Sequence, residues 1–86
     1  GLAFFMNYSV YILYSHSTDR YYVGQSKNHL ERFKRHQSGR NKSTKAGIPW
    51  EIVHVEFLND RSDAVRKERQ IKNLGSRRYL ERIQNH

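Results

Sequence analysis

Two tyrosines, an arginine, a histidine and a glutamate are the side chains best placed to do chemistry. Tyr11 and Tyr22 sit in two neighbouring aromatic, β-branched stretches. Arg32 and His36 are four residues apart, which sets them on one helix face about one turn from each other. Glu68 stands at i+4 from Ala64 and i−3 from Ile71, on the apolar stripe of a later helix. A carboxylate there is costly unless it is paired or metal-bound.

Such a set meets the needs of metal-assisted phosphodiester hydrolysis. A lone carboxylate can hold a hard divalent cation whose shell is completed by water and phosphate oxygens, which suits Mg²⁺. The cation acts as a Lewis acid and stabilises the leaving oxygen. An arginine supplies fixed positive charge where the phosphorane grows more negative. A tyrosine hydroxyl near metal or histidine can take a proton from the attacking water. Each residue also has a plain alternative. Strand tyrosines usually fill a core or an interface. An Arg-His pair can be a solvated helix face, and a striped glutamate can simply accept a hydrogen bond. Spacing alone leaves these open.

Other chemistries find less support. Cysteine is absent, which removes disulfides, Cys-based zinc sites and a thiol nucleophile. There is no Gly-x-Ser-x-Gly elbow, dinucleotide fingerprint or phosphate-loop lysine. No His-Glu-x-x-His spacing occurs, so a zinc site would have to draw on His29 and His36. The longest apolar run is five residues, against the roughly 20 that cross a bilayer.

The elements that must position these side chains are short. Tyr8 to Ser15 is apolar on both parities, which predicts a strand covered on both faces. Val10, Ile12 and Tyr14 share one face; Tyr11 and Leu13 share the other. Ser17 to Arg20 supplies a turn, and Tyr21 to Gln25 a second, antiparallel strand. Gly24 inside that strand signals close approach of another group. Asn28 and Glu31 form a capping-box pair opening a helix over 29–37, stopped by Ser38-Gly39. Residues 39–49 read as a basic loop, and Glu51 to Leu58 as a third, alternating strand. Asp60 or Ser62 caps a second helix ending near Leu74 and Gly75, and Ser76 caps a third with Tyr79, Leu80 and Ile83. The predicted fold is α+β, a small three-stranded antiparallel sheet flanked by three helices in the order β-β-α-β-α-α.

The 86 residues make one domain, with no room for a second core. Gly1 to Phe5 precede a natural-looking Met6-Asn7-Tyr8 start, so residues 1–7 read as a tag remnant or disordered extension and 8–86 as the domain. No signal peptide is visible, and the lack of cysteine fits a cytoplasmic protein. Sixteen Lys and Arg against eight Asp and Glu give +8, the balance of a domain that meets polyanions. Lys27, Arg35, Arg40, Lys42 and Lys45 gather around the first helix and the following loop. They are the expected phosphate contacts, with salt-dependent binding as the consequence.

Read in order, these motifs resemble the GIY-YIG nuclease domain. Val10-Tyr11-Ile12, Tyr22-Val23-Gly24 and then Arg32 carry the likeness. Thr44 to Glu51, Ala64 to Lys72 and Ser76-Arg77 are similar to the family's small stand-alone bacterial members. The resemblance spans about Tyr8 to Ile83. It implies a three-stranded sheet with flanking helices, and endonuclease chemistry at one Mg²⁺ or Mn²⁺ ion. By it, Tyr11 and Tyr22 are the two motif tyrosines, either of which could be the base. Arg32 is the charge-stabilising arginine, Glu68 the metal ligand, and His36 the residue near the nucleophile. Two departures stand out. Val10 replaces the name-giving glycine, and Gln25 stands where the repair-endonuclease branch carries lysine.

The leading expectation is a divalent-metal endonuclease on DNA, with branched or single-stranded forms and repair or recombination as its setting. A non-cleaving nucleic-acid module that recruits a partner is the alternative, with RNA left open as a ligand. A purely structural spacer requires that the five site residues do not converge.

Overall fold

The computed structural model describes residues 7–84. The expectation for residues 1–7 therefore lies, Asn7 apart, outside the described residues. The elements are β1 (Tyr8–Ser15), β2 (Arg20–Ser26), α1 (His29–Ser38), β3 (Trp50–Leu58), α2 (Arg61–Leu74) and α3 (Ser76–Gln84). They form a three-stranded antiparallel sheet with strand order β2-β1-β3.

The central place of β1 explains its apolar run. Val10 and Ile12 are fully buried against Val23, Ala64, Ile71 and Tyr79, under α2 and α3. Tyr11 and Leu13 face the other way, with Trp50, Tyr22, Phe33 and Ile48. Each parity of the strand meets its own core, so neither can be polar.

The turn into β2 places Asp19 at φ 55, a left-handed conformation that aspartate tolerates. Strand β3 does not alternate cleanly. Ile12 faces His54 while Leu13 faces Ile52, so Val53 is an extra residue in a bulge and points outward at 38% exposure.

Side chains and glycines set the helix ends. Asn28 Oδ1 accepts the Glu31 N–H at 3.2 Å, and Gly39 at φ 80 closes α1. Of the two candidates for the α2 cap, Asp60 is used: its Oδ1 accepts the Asp63 N–H at 2.9 Å. Ser76 is not the cap of α3. The Tyr79 N–H donates to the Gly75 carbonyl at 2.9 Å, which makes Ser76 the first helical residue. Gly75 also donates its own N–H to Ile71 at 2.8 Å, so one glycine ends α2 and starts α3. Within 39–49, Lys45–Gly47 forms a 3₁₀ turn.

Glu56 ties β3 to the α2–α3 pair. It accepts a hydrogen bond from the Tyr79 hydroxyl, meets His54 Nε2 at 2.8 Å and lies 3.6 Å from Lys67 Nζ. Burial works against its charge, but these partners hold its carboxyl below the usual carboxylate range.

Candidate active site

The site begins on the sheet face opposite α2. Tyr11 on β1 pairs with Gly24 on β2, and its ring lies over that glycine. A Cβ at position 24 would stand 2.5 Å from Tyr11 Cζ and Oη, so only glycine leaves the ring its place. Tyr22, two residues along β2 on the same face, has its ring centroid 6.4 Å from that of Tyr11.

Helix α1 brings His36 against both rings. The imidazole is 2% exposed, with its centroid 4.8 Å from Tyr22 and 6.1 Å from Tyr11. Its Nε2 lies 3.2 Å from Tyr11 Oη and its Nδ1 2.8 Å from Thr44 Oγ1. Both ring nitrogens are thus engaged by the protein's own hydroxyls. The solvated-face reading fails for His36 but describes Arg32, one turn earlier and exposed.

The electrostatics join all five residues. Burial is the main force raising the Tyr11 phenol, to about 12; Tyr22 and Glu68 push it the same way and Arg32 opposes them. Tyr22 is raised too, by burial and then Glu68, again against Arg32. His36 is lowered by burial and by the Arg32 guanidinium, which favours the neutral imidazole. Glu68 arrives from α2, half-buried between the fully buried Ala64 and Ile71, with Lys72 Nζ 3.7 Å away.

Arg32 is also the shared wall of two basic cavities. One, of about 360 Å³, is lined by Arg32, Arg35, His36, Arg40, Asn41 and Lys42. The other, of about 380 Å³, is lined by Tyr8, Gln25, Ser26, Lys27, Arg32 and Arg61. Lys45, in the 3₁₀ turn, lines neither.

The model of the GIY-YIG catalytic domain matches residues 7–83. The chain belongs to the GIY-YIG family. The match spans β1 to α3, so the face just described is part of a nuclease-type catalytic domain. No curated protein and no solved structure matches the chain.

Within this GIY-YIG domain, Tyr11, Tyr22 and His36 touch, while Arg32 and Glu68 reach them through charge. Among the described residues, no three His, Cys, Asp or Glu side chains cluster where they could hold a metal ion. The site therefore offers one carboxylate, not a cage. That donor set fits a hydrated hard cation whose remaining ligands are water and substrate oxygens.

Two residues at the site escaped the sequence reading. Thr44 opens the stretch from Thr44 to Glu51, but neither its residue type nor its spacing marks it as a partner of His36. Arg61 is far in sequence from the other basic residues, and only the fold brings the start of α2 beside Lys27. Among the described residues no helix is long and apolar enough to cross a membrane.

Proposed function

We propose that this domain is an endonuclease that hydrolyses DNA phosphodiester bonds with one Mg²⁺ or Mn²⁺ ion. The observation that carries the reading is the buried Tyr11–His36 pair, with Arg32 and Glu68 near enough to act on the Tyr11 phenol in opposite senses. When bound, the cation would be held by Glu68 and would supply charge to the scissile phosphate and the leaving oxygen.

The protein's own part is proton transfer and charge placement. A phenol raised to about 12 is protonated at neutral pH. It can accept a proton only if it gives its own away. Tyr11 has a place to send it, His36 Nε2 at 3.2 Å. The Tyr22 hydroxyl has no such hydrogen-bond partner among the described residues, so Tyr11 is the proposed base and Tyr22 packs the histidine. As water oxygen bonds to phosphorus, the water proton passes to Tyr11 Oη and the phenol proton to His36 Nε2. The phosphorus bond to the departing sugar oxygen breaks, and that oxygen takes a proton from solvent. Arg32 would supply fixed positive charge as the phosphorane gains negative charge.

Nicking of supercoiled plasmid and of a branched-DNA panel tests this, run with Mg²⁺, Mn²⁺ or EDTA. Arg32→Ala, Glu68→Ala and Tyr11→Phe are expected to lose about a hundredfold or more in rate while keeping a native circular-dichroism spectrum. EDTA should stop the wild type. Undiminished cutting by any one variant removes that residue from the mechanism.

A second reading rests on the two basic cavities. A non-cleaving module that recruits a partner would use the same cations to hold DNA or RNA. It would bind the panel and cut none of it under any metal.

A further inference from the structure

The stretch from Asn41 to Trp50 is built around Thr44, and nothing in the proton route above yet uses it. Thr44 is 2% exposed. Its carbonyl is saturated, accepting the Trp50 indole N–H at 2.8 Å and the Gly47 N–H at 3.0 Å. Its N–H donates to the Asn41 carbonyl at 3.2 Å. Trp50 packs so closely that a Cβ on Gly47 would fall 2.2 Å from its ring. A backbone held at both ends by these bonds fixes where the Thr44 hydroxyl points. That hydroxyl lies 2.8 Å from His36 Nδ1 and 3.4 Å from the Asn41 carbonyl oxygen.

Proton counting then decides the histidine's tautomer. Neutral His36 carries one ring proton, on Nδ1 or on Nε2. Suppose it is on Nε2. Then Nε2 donates to Tyr11 Oη, and the phenolic proton has no protein acceptor among the described residues, so it would have to point at the water that the mechanism needs as a donor. Suppose instead it is on Nδ1. Then Nδ1 donates to Thr44, Thr44 donates to the Asn41 carbonyl, and Tyr11 donates to Nε2. Every proton in the chain then has a protein acceptor, and Tyr11 Oη keeps a lone pair free for the water proton.

We infer that Thr44 is a positioning residue: it holds His36 in the Nδ1–H tautomer, leaving Nε2 free to take the proton of Tyr11. The inference deepens the proposed nuclease reading and rests on it for its consequence. The tautomer itself does not depend on cleavage.

The test is nitrogen NMR of the histidine rings in ¹⁵N-labelled protein at pH about 8, above the ordinary histidine pKa of about 6.5. The wild type should show a protonated Nδ1 and an unprotonated Nε2 at His36. Thr44→Val keeps the shape and removes the hydroxyl, so the proton should move to Nε2. Thr44→Ser should restore the wild-type pattern. In nicking assays Thr44→Val should lose at least about tenfold in kcat, part of the roughly 10²–10⁴-fold that positioned proton transfer supplies, with KM little changed. A wild-type His36 protonated on Nε2 overturns the inference, and so does an unaltered pattern or unaltered kcat in Thr44→Val. If the valine variant does not fold, the wild-type and serine spectra still decide. If the wild type cuts no DNA, the nuclease reading fails while the spectra still test the tautomer.

Discussion

Gly24 shows how much one absent methyl controls. The Tyr11 ring occupies the space a side chain at 24 would fill, and it is held there by His36. In Gly24→Ala the new Cβ would meet Tyr11 Cζ and Oη at 2.5 Å, so the ring must swing and the 3.2 Å contact to Nε2 must open. Overpacking of this kind costs about 1–3 kcal/mol. Urea denaturation should read that loss, and nicking should fall with it. A variant as stable and active as the wild type would mean that the ring does not rest on the glycine. The close approach was legible in the sequence, because glycine inside an aromatic strand has few other uses. The burial of His36 was not. The Arg32–His36 spacing reads equally well as a solvated face, and only the docking of α1 on the Tyr11 face hides that one imidazole.

At the scale of elements, the side-chain caps of α1 and α2 are legible in the sequence, while that of α3 is not. Asn28 and Asp60 each accept the backbone N–H three residues on, as short polar residues at a helix start should. Asp60→Ala should therefore cost about 1 kcal/mol, seen as a lower denaturation midpoint. Cleavage should be unaffected, because Glu68 lies two turns further along α2 and is held there by Ala64 and Ile71. A fall in kcat at unchanged helix content would show that the cap does more than start the helix. The bulge at Val53 and the double duty of Gly75 were not legible. Hydropathy in β3 alternates well enough either way, and only its register with β1 shows the extra residue. Gly75 signals a stop, but a stop that also opens the next helix depends on the Tyr79 N–H reaching its carbonyl.

For the whole molecule, net charge was plain from composition, but its arrangement was not. The acids largely pair away from the site: Asp19 with Arg77, Glu51 with His16, Asp63 with Arg66, and Glu56 with His54 and Lys67. Lys27, Arg32, Arg40, Lys42 and Arg61 form no ion pair among the described residues, and all five line the two cavities that meet at Arg32. A strand laid across Arg32 would thus find cations on both sides of the scissile phosphate. Each phosphate contact lowers log K against log salt by about 0.9 on duplex DNA, through release of counterions. Fluorescence anisotropy with duplex DNA in EDTA, which separates binding from cutting, should show this slope. The double variant Arg40→Ala/Lys42→Ala should reduce it by about 1.8, and Arg61→Ala by about 0.9. Lys45→Ala should leave it nearly unchanged, because Lys45 stands outside both cavities. Equal effects from all of these positions would mean that the basic surface acts as a diffuse field with no track through Arg32.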